Sequence, residues 1–373
     1  MNTKQVHADY AKTVADKVIK MLEEGTAPWT QPWKPGFGPT GREAMPFNAA
    51  SGRAYSGGNA LHLWAVAQER GYEDNRWMTF KQVQDRGLRL KEGSKGHGAK
   101  VEFWDFSKVR QDKTDEGESG KTDEQRRRGP SVFLFTVFNG SMVEGMPEQA
   151  KRQVPDITWR HGECERLLAE SGASINHDGG DRAFYRPLSD TIHLPVKEAF
   201  ESATGFFATA LHELGHWSGH ETRLNRDQSG VFGTESYAKE ELVAELSSMM
   251  MGDRLGIGHD PGQHVAYIGS WIKLLKKDPM AIMRAASQAE AVCKHLGIEA
   301  YQNEPIQVQE RKQEHQADGQ EAKPQRRRRS QRKTQTAASE AWSPGDMAGE
   351  QLAPEGQDRG QRRERQRGMS MSM

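Results

Sequence analysis

Apolar residues recur at helical spacing near the start of the chain. They fall every four residues, at Tyr10, Val14, Val18 and Leu22. This spacing predicts an amphipathic helix from residue 9 to residue 24, which Gly25 ends. A second helix is predicted for residues 57–70, and a short third helix begins with Thr79 as its N-cap and runs to Gly87.

Runs of β-branched and aromatic residues predict strands between the helices. KVEFWDF and SVFLFTVFNG are typical of strands in the first part of the chain. Further along, RAFYRPLSDTIHLP predicts a hairpin, with strands at residues 184–187 and 191–194 around a Leu-Ser-Asp turn. Helix and strand signals then alternate up to about residue 300.

These patterns predict an α+β protein of two domains. The first is a mixed α/β domain at residues 1–140, carrying a mobile charged insertion at 107–130. A linker follows at 141–158, and a second domain occupies 159–300. Residues 301–373 are rich in Gln, Arg, Glu, Ser and Gly, include RRRRSQRK, and predict a disordered basic tail.

Composition narrows the class of protein. The 373 residues are 35% hydrophobic and 28% charged, with a mean hydropathy of −0.86. No run approaches the ~20 apolar residues of a membrane span, and the first residues lack the apolar core of a signal peptide. The two cysteines cannot form a disulfide framework. We therefore expect a protein of the cytoplasm that does not contact membranes.

The charge is unevenly distributed, although 52 basic and 52 acidic residues cancel overall. Residues 1–110 hold 17 basic and 12 acidic side chains, a net of +5. Residues 151–300 hold 16 and 21, a net of −5, and residues 301–373 hold 14 and 11, a net of +3. Basic ends around an acidic middle suggest a polyanionic partner for the ends.

The segment ATALHELGHWSGH contains an HExxH motif. His212 and His216 are four residues apart, so on a helix both imidazoles project from one face and can bind one zinc ion. Glu213 reaches the same cleft without being a ligand and can accept a proton from a water molecule that the metal activates.

A catalytic zinc site usually has three protein ligands. Position 222 is Thr222, which excludes the longer motif with a third histidine there. The helix predicted by YAKEELVAELSSMMM offers a carboxylate instead. Glu241 is our predicted third ligand and Glu245, on the same face, is predicted to orient a ligand histidine. Glu240 points about 100° away from Glu241 and is the weaker candidate.

The first 110 residues suggest nucleic-acid binding, because aromatic rings stack on bases while cations contact phosphates. Trp29, Trp33 and Lys34 lie on a Pro-rich segment that cannot be regular structure. The glycine-rich segment LKEGSKGHGAK adds a second set of candidates. These are Lys91, Lys95 and Lys100.

Several motifs, in order, resemble one known family. YSGGNALHLW, RWMTFKQVQDRG, KEGSKGHGAKVEFW and VFNGSMVEG are similar to the N-terminal domain of ArdC-type antirestriction proteins, which also begins plasmid TraC-type primases. FYRPLSDTIHLP, ATALHELGHWSGHETRLNR and YAKEELVAEL resemble the C-terminal zincin-like domain of the same family. The resemblance covers roughly residues 5–300.

The resemblance implies a mobile-element protein whose first domain binds single-stranded DNA and shields it from restriction during conjugation. The second domain would be similar to minigluzincin and SPRTN-type proteases. By that match His212, His216 and Glu241 hold the metal, Zn²⁺ or another divalent cation such as Mn²⁺, and Glu213 is the catalytic acid/base. A DNA-associated protein is the expected substrate.

Three hypotheses follow. The chain is a DNA-protection protein with an active metalloprotease domain, a single-strand-binding module whose metal is structural, or the separated accessory portion of a primase. The third is weakened because the sequence shows no obvious carboxylate cluster for polymerisation.

Overall fold

The structure, a computed structural model, describes residues 3–27, 29, 45–105, 130–149, 156–259, 267–300 and 302–306. Its α-helices are α1 (Thr3–Glu23), α2 (Gly57–Arg70), α3 (Phe80–Asp85), α4 (Ile157–Glu170), α5 (Ala203–Trp217), α6 (Glu235–Leu255), α7 (Ile268–Lys277) and α8 (Met280–His295). Its strands are β1 (Phe47–Asn48), β2 (Arg76–Thr79), β3 (Arg89–Leu90), β4 (Ala99–Asp105), β5 (Ser131–Asn139), β6 (Val143–Glu144), β7 (Ser174–Asn176), β8 (Phe184–Arg186) and β9 (Thr191–His193). The predicted insertion at 107–130, apart from residue 130, and the predicted tail beyond residue 306 lie outside the described residues.

A four-stranded sheet in the order β1-β2-β5-β4 forms the centre of the N-terminal half. Strand β5 pairs antiparallel with both β2 and β4, and β1 runs parallel to β2. Helix α2 covers one face, where Leu63 and Val66 pack with the sheet residues Trp77, Val101 and Val137. Burial of these apolar side chains is the main force that holds helix and sheet together.

Local signals set the ends of these elements. The Thr79 side chain accepts a hydrogen bond from the Gln82 amide, and the Gln82 side chain accepts one from the Thr79 amide. This capping box starts α3 at the predicted residue. Helix α2 spans the predicted range and ends at Gly71, whose φ of 65° is a left-handed conformation that favours glycine.

The C-terminal half packs helices against a three-stranded sheet in the order β7-β9-β8. Strands β8 and β9 form the predicted antiparallel hairpin, with Tyr185 opposite Ile192. The fully buried Ile192 belongs to the core that the helices α5, α6 and α8 build. This sheet therefore lies directly beside the helix that carries the HExxH motif.

The two halves share one hydrophobic core. Tyr10 and Leu22 of α1 belong to the same buried cluster as Leu246, Trp271 and Ala286 from the C-terminal half. Polar contacts join the halves at their surface. Lys276 donates to Glu23 at 2.9 Å, Gly57 N donates to Glu290 at 3.3 Å, and Asn303 N donates to Gly52 O at 3.0 Å.

The mixture of helices and separate small sheets confirms the predicted α+β class. Helix α1 begins at Thr3, earlier than its apolar pattern predicts, because its first turn carries no apolar stripe. Among the helices of the described residues, none combines the length and apolar character that crossing a bilayer requires.

Candidate metal centre

Helix α5 presents the two histidines of the HExxH motif. It begins where the Ser202 side chain accepts a hydrogen bond from the Gly205 amide at 3.0 Å. Apolar side chains bury most of its surface, namely Phe206, Phe207, Ala210, Leu211 and Leu214. Because this burial fixes the rotation of α5, His212 and His216 both face α6, one helical turn apart.

Helix α6 presents the carboxylates. It begins with a cap at Thr234, whose side chain accepts a hydrogen bond from the Tyr237 amide at 3.2 Å. Glu241 and Glu245 are 5% and 1% exposed, on the side that packs against α5. The two helices approach closely at Gly215, where an added Cβ would lie 3.3 Å from Ala244 Cα.

The side chains of His212, His216 and Glu241 converge. One ligand atom from each lies within 4.8 Å of the others. The two Nε2 atoms are 3.1 Å apart, and Glu241 oxygens lie 3.7 Å from His212 Nε2 and 3.6 Å from His216 Nε2. Two imidazole nitrogens and a carboxylate oxygen are donors that zinc and other divalent transition metals accept. The residues present therefore fit a divalent cation.

A carboxylate oxygen lies close to the Nδ1 atom of each imidazole. Glu245 Oε2 lies 3.0 Å from His212 Nδ1, and Glu240 Oε1 lies 3.2 Å from His216 Nδ1. A proton on each Nδ1 that faces a carboxylate leaves the Nε2 lone pair free to point at a cation. Glu245 thus lies beside His212, and Glu240 lies beside His216 rather than among the three converging groups.

Glu240 is held by a cationic side chain from the loop before α6. Arg226 donates to both of its oxygens, at 2.9 and 2.7 Å, and Gln228 donates at 3.0 Å. Burial alone would raise the pKa of Glu240, but Arg226 and His216 outweigh it and lower the pKa to about 2. The sequence analysis assigned no role to Arg226, although Arg226 ends one of the family motifs, or to Gln228.

Glu245, the carboxylate beside His212, is contacted by a histidine that follows the end of α6. His259 Nε2 lies 3.0 Å from Glu245 Oε1 and 3.0 Å from the carbonyl oxygen of Trp29. The side chains of His259 and Glu245 are each 1% exposed. A series of contacts therefore runs from His212 through Glu245 and His259 to the backbone of the N-terminal half.

The electrostatics of the three converging groups are strongly coupled. Burial would lower the pKa of His212, but Glu241 and Glu245 outweigh it and raise the pKa to about 10. Burial would raise the pKa of Glu241, but His216 and His212 lower it to about 2. The surroundings thus favour positive charge between the imidazoles and a charged carboxylate, which is the environment a cation needs.

Glu213 follows the first histidine and is only 6% exposed. Burial raises the pKa of its carboxyl, opposed by His212 and His216 and by a hydrogen bond from the backbone of Tyr185 in β8. A raised pKa suits a group that must both accept and release a proton. The hydrogen bond also fixes β8 beside the site.

Aromatic side chains border the site on the far side of Glu241. The hydroxyls of Tyr237 and Tyr267 are 3.1 Å apart, and Tyr237 also hydrogen-bonds the Glu241 carboxylate. Burial, Tyr267 and Glu241 together raise the pKa of Tyr237 above its usual range. Phe232, 73% exposed, lies with its ring 5.6 Å from that of Tyr237.

The structure corrects one nucleic-acid prediction. The Trp29 ring is fully buried in the shared core, so it cannot stack on a base. The Pro-rich segment predicts no regular element that could bury both Trp29 and Trp33, but Trp29 is buried by packing in the core shared with the C-terminal half. Trp33 and Lys34 lie outside the described residues. The remaining candidates, Lys91, Lys95 and Lys100, are all exposed.

Comparison with known proteins defines the class of each half. Residues 8–138 match the family described as the N-terminal domain of anti-restriction factor ArdC. Residues 162–288 match the zincin-like metallopeptidase family. The protein therefore joins an ArdC-type N-terminal domain to a zincin-like domain, which agrees with the donor set of the metal centre.

Relatives along most of the chain identify the family. A DNA primase TraC of Escherichia coli is 47% identical over 299 residues, or 77% of this chain, which spans only 27% of that relative. The uncharacterized protein y4eC of Sinorhizobium fredii (strain NBRC 101917 / NGR234) is 36% identical over 78% of this chain and 92% of its own length. The Mn(II)-bound crystal structure of the antirestriction ArdC protein from plasmid R388 is 31% identical, covering 77% of this chain and 96% of its own, with a TM-score of 0.60. The chain belongs to the ArdC family of antirestriction proteins.

Proposed function

We propose that the chain protects the DNA of a mobile element from host restriction during conjugative transfer. Its N-terminal domain would bind single-stranded DNA in the cytoplasm, and its C-terminal domain would be a metal-dependent peptidase. The observation that carries the peptidase proposal is the convergence of His212, His216 and Glu241 beside the buried Glu213. The ArdC-type domain and the basic balance of residues 1–110 support the DNA half.

The residues of the centre have distinct proposed roles. His212, His216 and Glu241 would hold a divalent cation, which when bound polarises a peptide carbonyl and makes water a stronger acid. Glu213 would accept the proton of the attacking water and pass it to the leaving nitrogen. The Tyr237 hydroxyl donates to the Glu241 carboxylate and would hold this third ligand in position.

Replacing Glu213 by Gln tests the peptidase. We expect Glu213→Gln to lose at least about a hundredfold of cleavage activity, because it removes the acid/base. It should keep metal affinity, since Glu213 is not a proposed ligand. The measurement is cleavage of casein with and without a single-stranded oligonucleotide, alongside calorimetric titration with Mn²⁺ and Zn²⁺. Glu221→Gln, at an exposed residue of the same region, is the control.

A structural metal gives a different pattern. In that case the wild type cleaves nothing, Glu213→Gln resembles it in every assay, and chelation lowers the melting temperature of the protein. His212→Ala should abolish metal binding under both hypotheses, so it checks that the metal measured occupies this centre.

The DNA half is tested with the full chain. We expect tighter binding to a single-stranded oligonucleotide than to the matching duplex, with an affinity that falls as salt rises. Fluorescence anisotropy across a salt series measures both. Equal and weak affinity for the two forms would remove this half of the proposal.

A further inference from the structure

Two large apolar residues are exposed on the loop that precedes α6. Val231 and Phe232 are each 73% exposed. The residues around them, 228–234 with the sequence QSGVFGT, carry no charge. Exposed apolar surface that continues into a cluster of aromatic rings is typical of a binding surface rather than of a solvated loop.

Backbone contacts hold this loop against the first turn of α6. The carbonyl oxygen of Val231 accepts hydrogen bonds from the Thr234 amide at 3.0 Å and from the Thr234 hydroxyl at 2.7 Å. At Gly230, an added Cβ would lie 2.3 Å from the amide nitrogen of Tyr237, so backbone packs directly on backbone. These contacts fix the backbone of Phe232, which lies between them.

Three aromatic rings extend from this loop toward the metal centre. The centroid of the Phe232 ring lies 5.6 Å from that of Tyr237 and 6.1 Å from that of Tyr267, and both pairs meet edge to face. The Tyr237 and Tyr267 rings are 5.7 Å apart in the same arrangement. Tyr267 continues to the fully buried Trp271, whose ring is 6.2 Å away. The exposed Phe232 is thus the outer member of a cluster anchored in the core.

The inner side of this cluster contacts the metal centre. The Tyr237 hydroxyl hydrogen-bonds the Glu241 carboxylate. Burial raises the pKa of the Tyr267 hydroxyl, and its hydrogen bond with Tyr237 opposes the rise. The negative charges of Glu241 and Glu213 raise this pKa further. Tyr267 therefore lies within electrostatic range of both the predicted third ligand and the predicted acid/base.

The position of the cluster indicates its occupant. The Cα atoms on the two sides of a peptide bond are only about 3.8 Å apart, so a polypeptide with one carbonyl at the metal centre places its flanking side chains on the adjoining surface. Ring edges and an uncharged loop complement a large apolar side chain, which gains free energy by leaving water. A charged side chain would lose hydration without gaining a partner from this loop.

We propose that the exposed Phe232 and the rings of Tyr237 and Tyr267 beside it form an apolar subsite, which receives a large apolar side chain next to the scissile bond of a polypeptide substrate. The subsite rests on the proposed peptidase function and specifies which substrates the peptidase selects. Phe232 is the main determinant of specificity, because it is the most exposed of the three rings. The preferred cleavage sites adjoin large apolar residues rather than Gly or charged residues.

Hydroxamates test the subsite without requiring cleavage, because their chelating group binds the metal directly. A benzyl group lies on one side of this group in N-acetylphenylalanine hydroxamate and on the other side in benzylmalonyl hydroxamate. Calorimetric titration of the Zn²⁺-loaded full chain compares each compound with its counterpart that lacks the benzyl group. We expect one benzyl compound to bind about 10- to 100-fold more tightly than its counterpart, because the subsite removes the benzyl group from water.

Variants assign this affinity ratio to the loop. Phe232→Ala should lower the ratio about tenfold, whereas Phe232→Leu, which stays large and apolar, should retain most of it. Phe80→Ala is the matched control and should keep the full ratio, since Phe80 is 42% exposed in the N-terminal half. Phe232→Lys should favour the analogue with a carboxymethyl group in place of benzyl, by about two- to fivefold over the compound with neither group. A merely structural role of Phe232 would not produce this reversal.

The outcomes distinguish this inference from the proposed function. A wild type that binds no metal at this centre overturns both. Equal affinities within both hydroxamate pairs, or a ratio that Phe232→Ala leaves unchanged, overturn the subsite alone. A wild type that shows the ratio but cleaves no casein overturns the peptidase and leaves the subsite as a binding surface. If Phe232→Ala changes the oligomeric state in sedimentation and keeps the ratio, the rings form an interface between copies of the chain and the inference is wrong.

Discussion

At the scale of single residues, the centre pairs each imidazole with its own carboxylate. Glu245 faces His212 and Glu240 faces His216, and both acids are buried. Glu240 is in turn neutralised by Arg226. Burying a carboxylate without such a partner would cost free energy of folding. Each of the two acids therefore has a second partner, Arg226 for Glu240 and His259 for Glu245. This arrangement fixes the orientation of both imidazole rings.

The support behind His216 gives a prediction about metal affinity. We expect Glu240→Gln to weaken Mn²⁺ and Zn²⁺ binding about 10- to 100-fold, because the amide orients and polarises the imidazole less well. Calorimetric titration measures the affinities. Glu235→Gln is the matched control, since Glu235 lies on the same helix but is bound to Lys239 and Lys277 at the surface. Equal affinities for the two variants would contradict the role of Glu240.

A buried histidine away from the centre gives a prediction about pH. Burial, followed by Lys17 and Arg70, lowers the pKa of His62 from 6.5 to about 4. Between pH 6.5 and pH 4, His62 is therefore protonated in the unfolded chain but neutral in the folded chain. The free energy of unfolding falls as the pH drops through this range. The loss from this residue is about 2–3 kcal/mol at pH 4.5.

Replacing His62 tests this loss. We expect His62→Phe, which keeps a ring beside Tyr10, to reduce the difference in unfolding free energy between pH 7 and pH 4.5 by that amount. Urea unfolding at the two pH values measures it. His62→Gln, a second residue without a proton to gain, should reduce the difference equally. An unchanged difference in both variants would show that His62 titrates normally.

For single residues, the sequence predicts which side chains share one face of a helix. The pair His212 and His216 follows from helical periodicity, and the structure brings Glu241 to them from the neighbouring helix. Arg226 and His259 could not be predicted, because their contacts depend on how loops fold back onto the helices. Trp29 shows the same limit, since its burial depends on a partner surface about 230 residues away. The role of Glu241 as a ligand remains a prediction.

At the scale of elements, strong periodicity predicted helices and long strands well. Helix α2, the start of α3, strands β4 and β5 and the β8–β9 hairpin all lie where the patterns place them. The two-residue strands β1, β3 and β6 were not predicted, because pairing over two residues leaves no alternation in the sequence. Tertiary contact, and not local preference, determines them.

The end of α6 shows how one small residue positions an element. An added Cβ at Gly252 would lie 1.9 Å from the carbonyl oxygen of Gly258, within the turn that leads to His259. Gly258 itself has a φ of 89°, so this turn cannot relax easily. The close approach brings His259 back against Glu245 on the same helix.

Gly252→Ala should therefore destabilise the fold by at least about 1–3 kcal/mol, because backbone must move to admit the methyl group. It should also weaken metal binding, since it displaces His259. Gly162→Ala on α4 is the control, because nothing lies within 4 Å of its added Cβ. There the higher helix propensity of Ala should raise stability by about 0.5–1 kcal/mol. Chemical unfolding measures the stability of both variants. Equal changes in the free energy of unfolding would contradict the close approach of Gly252 to Gly258.

At the scale of the whole molecule, the two family domains are distinct in sequence but joined in packing. Most of helix α1 lies within the ArdC-type match, yet its Val14 and Val18 are buried in one cluster with Trp271 and Leu275 of α7. At Gly58 of α2 an added Cβ would lie 2.3 Å from Met283 of α8. Such contacts bury apolar surface that either half alone would expose to water.

This shared core predicts that the halves depend on each other for stability. The intact chain should unfold in one cooperative transition, whereas residues 156–306 alone should melt at least about 10 °C lower, because each kcal/mol of stability removed lowers the melting temperature by about 2–4 °C in a domain of this size. Co-expression with residues 3–149 should restore the intact value. Differential scanning calorimetry measures these transitions. Two separate transitions in the intact chain, or a fragment as stable as the whole, would show that α1 and α2 contribute little to the fold around the metal centre. The series of contacts from Trp29 to His212 would then be a consequence of packing without energetic weight.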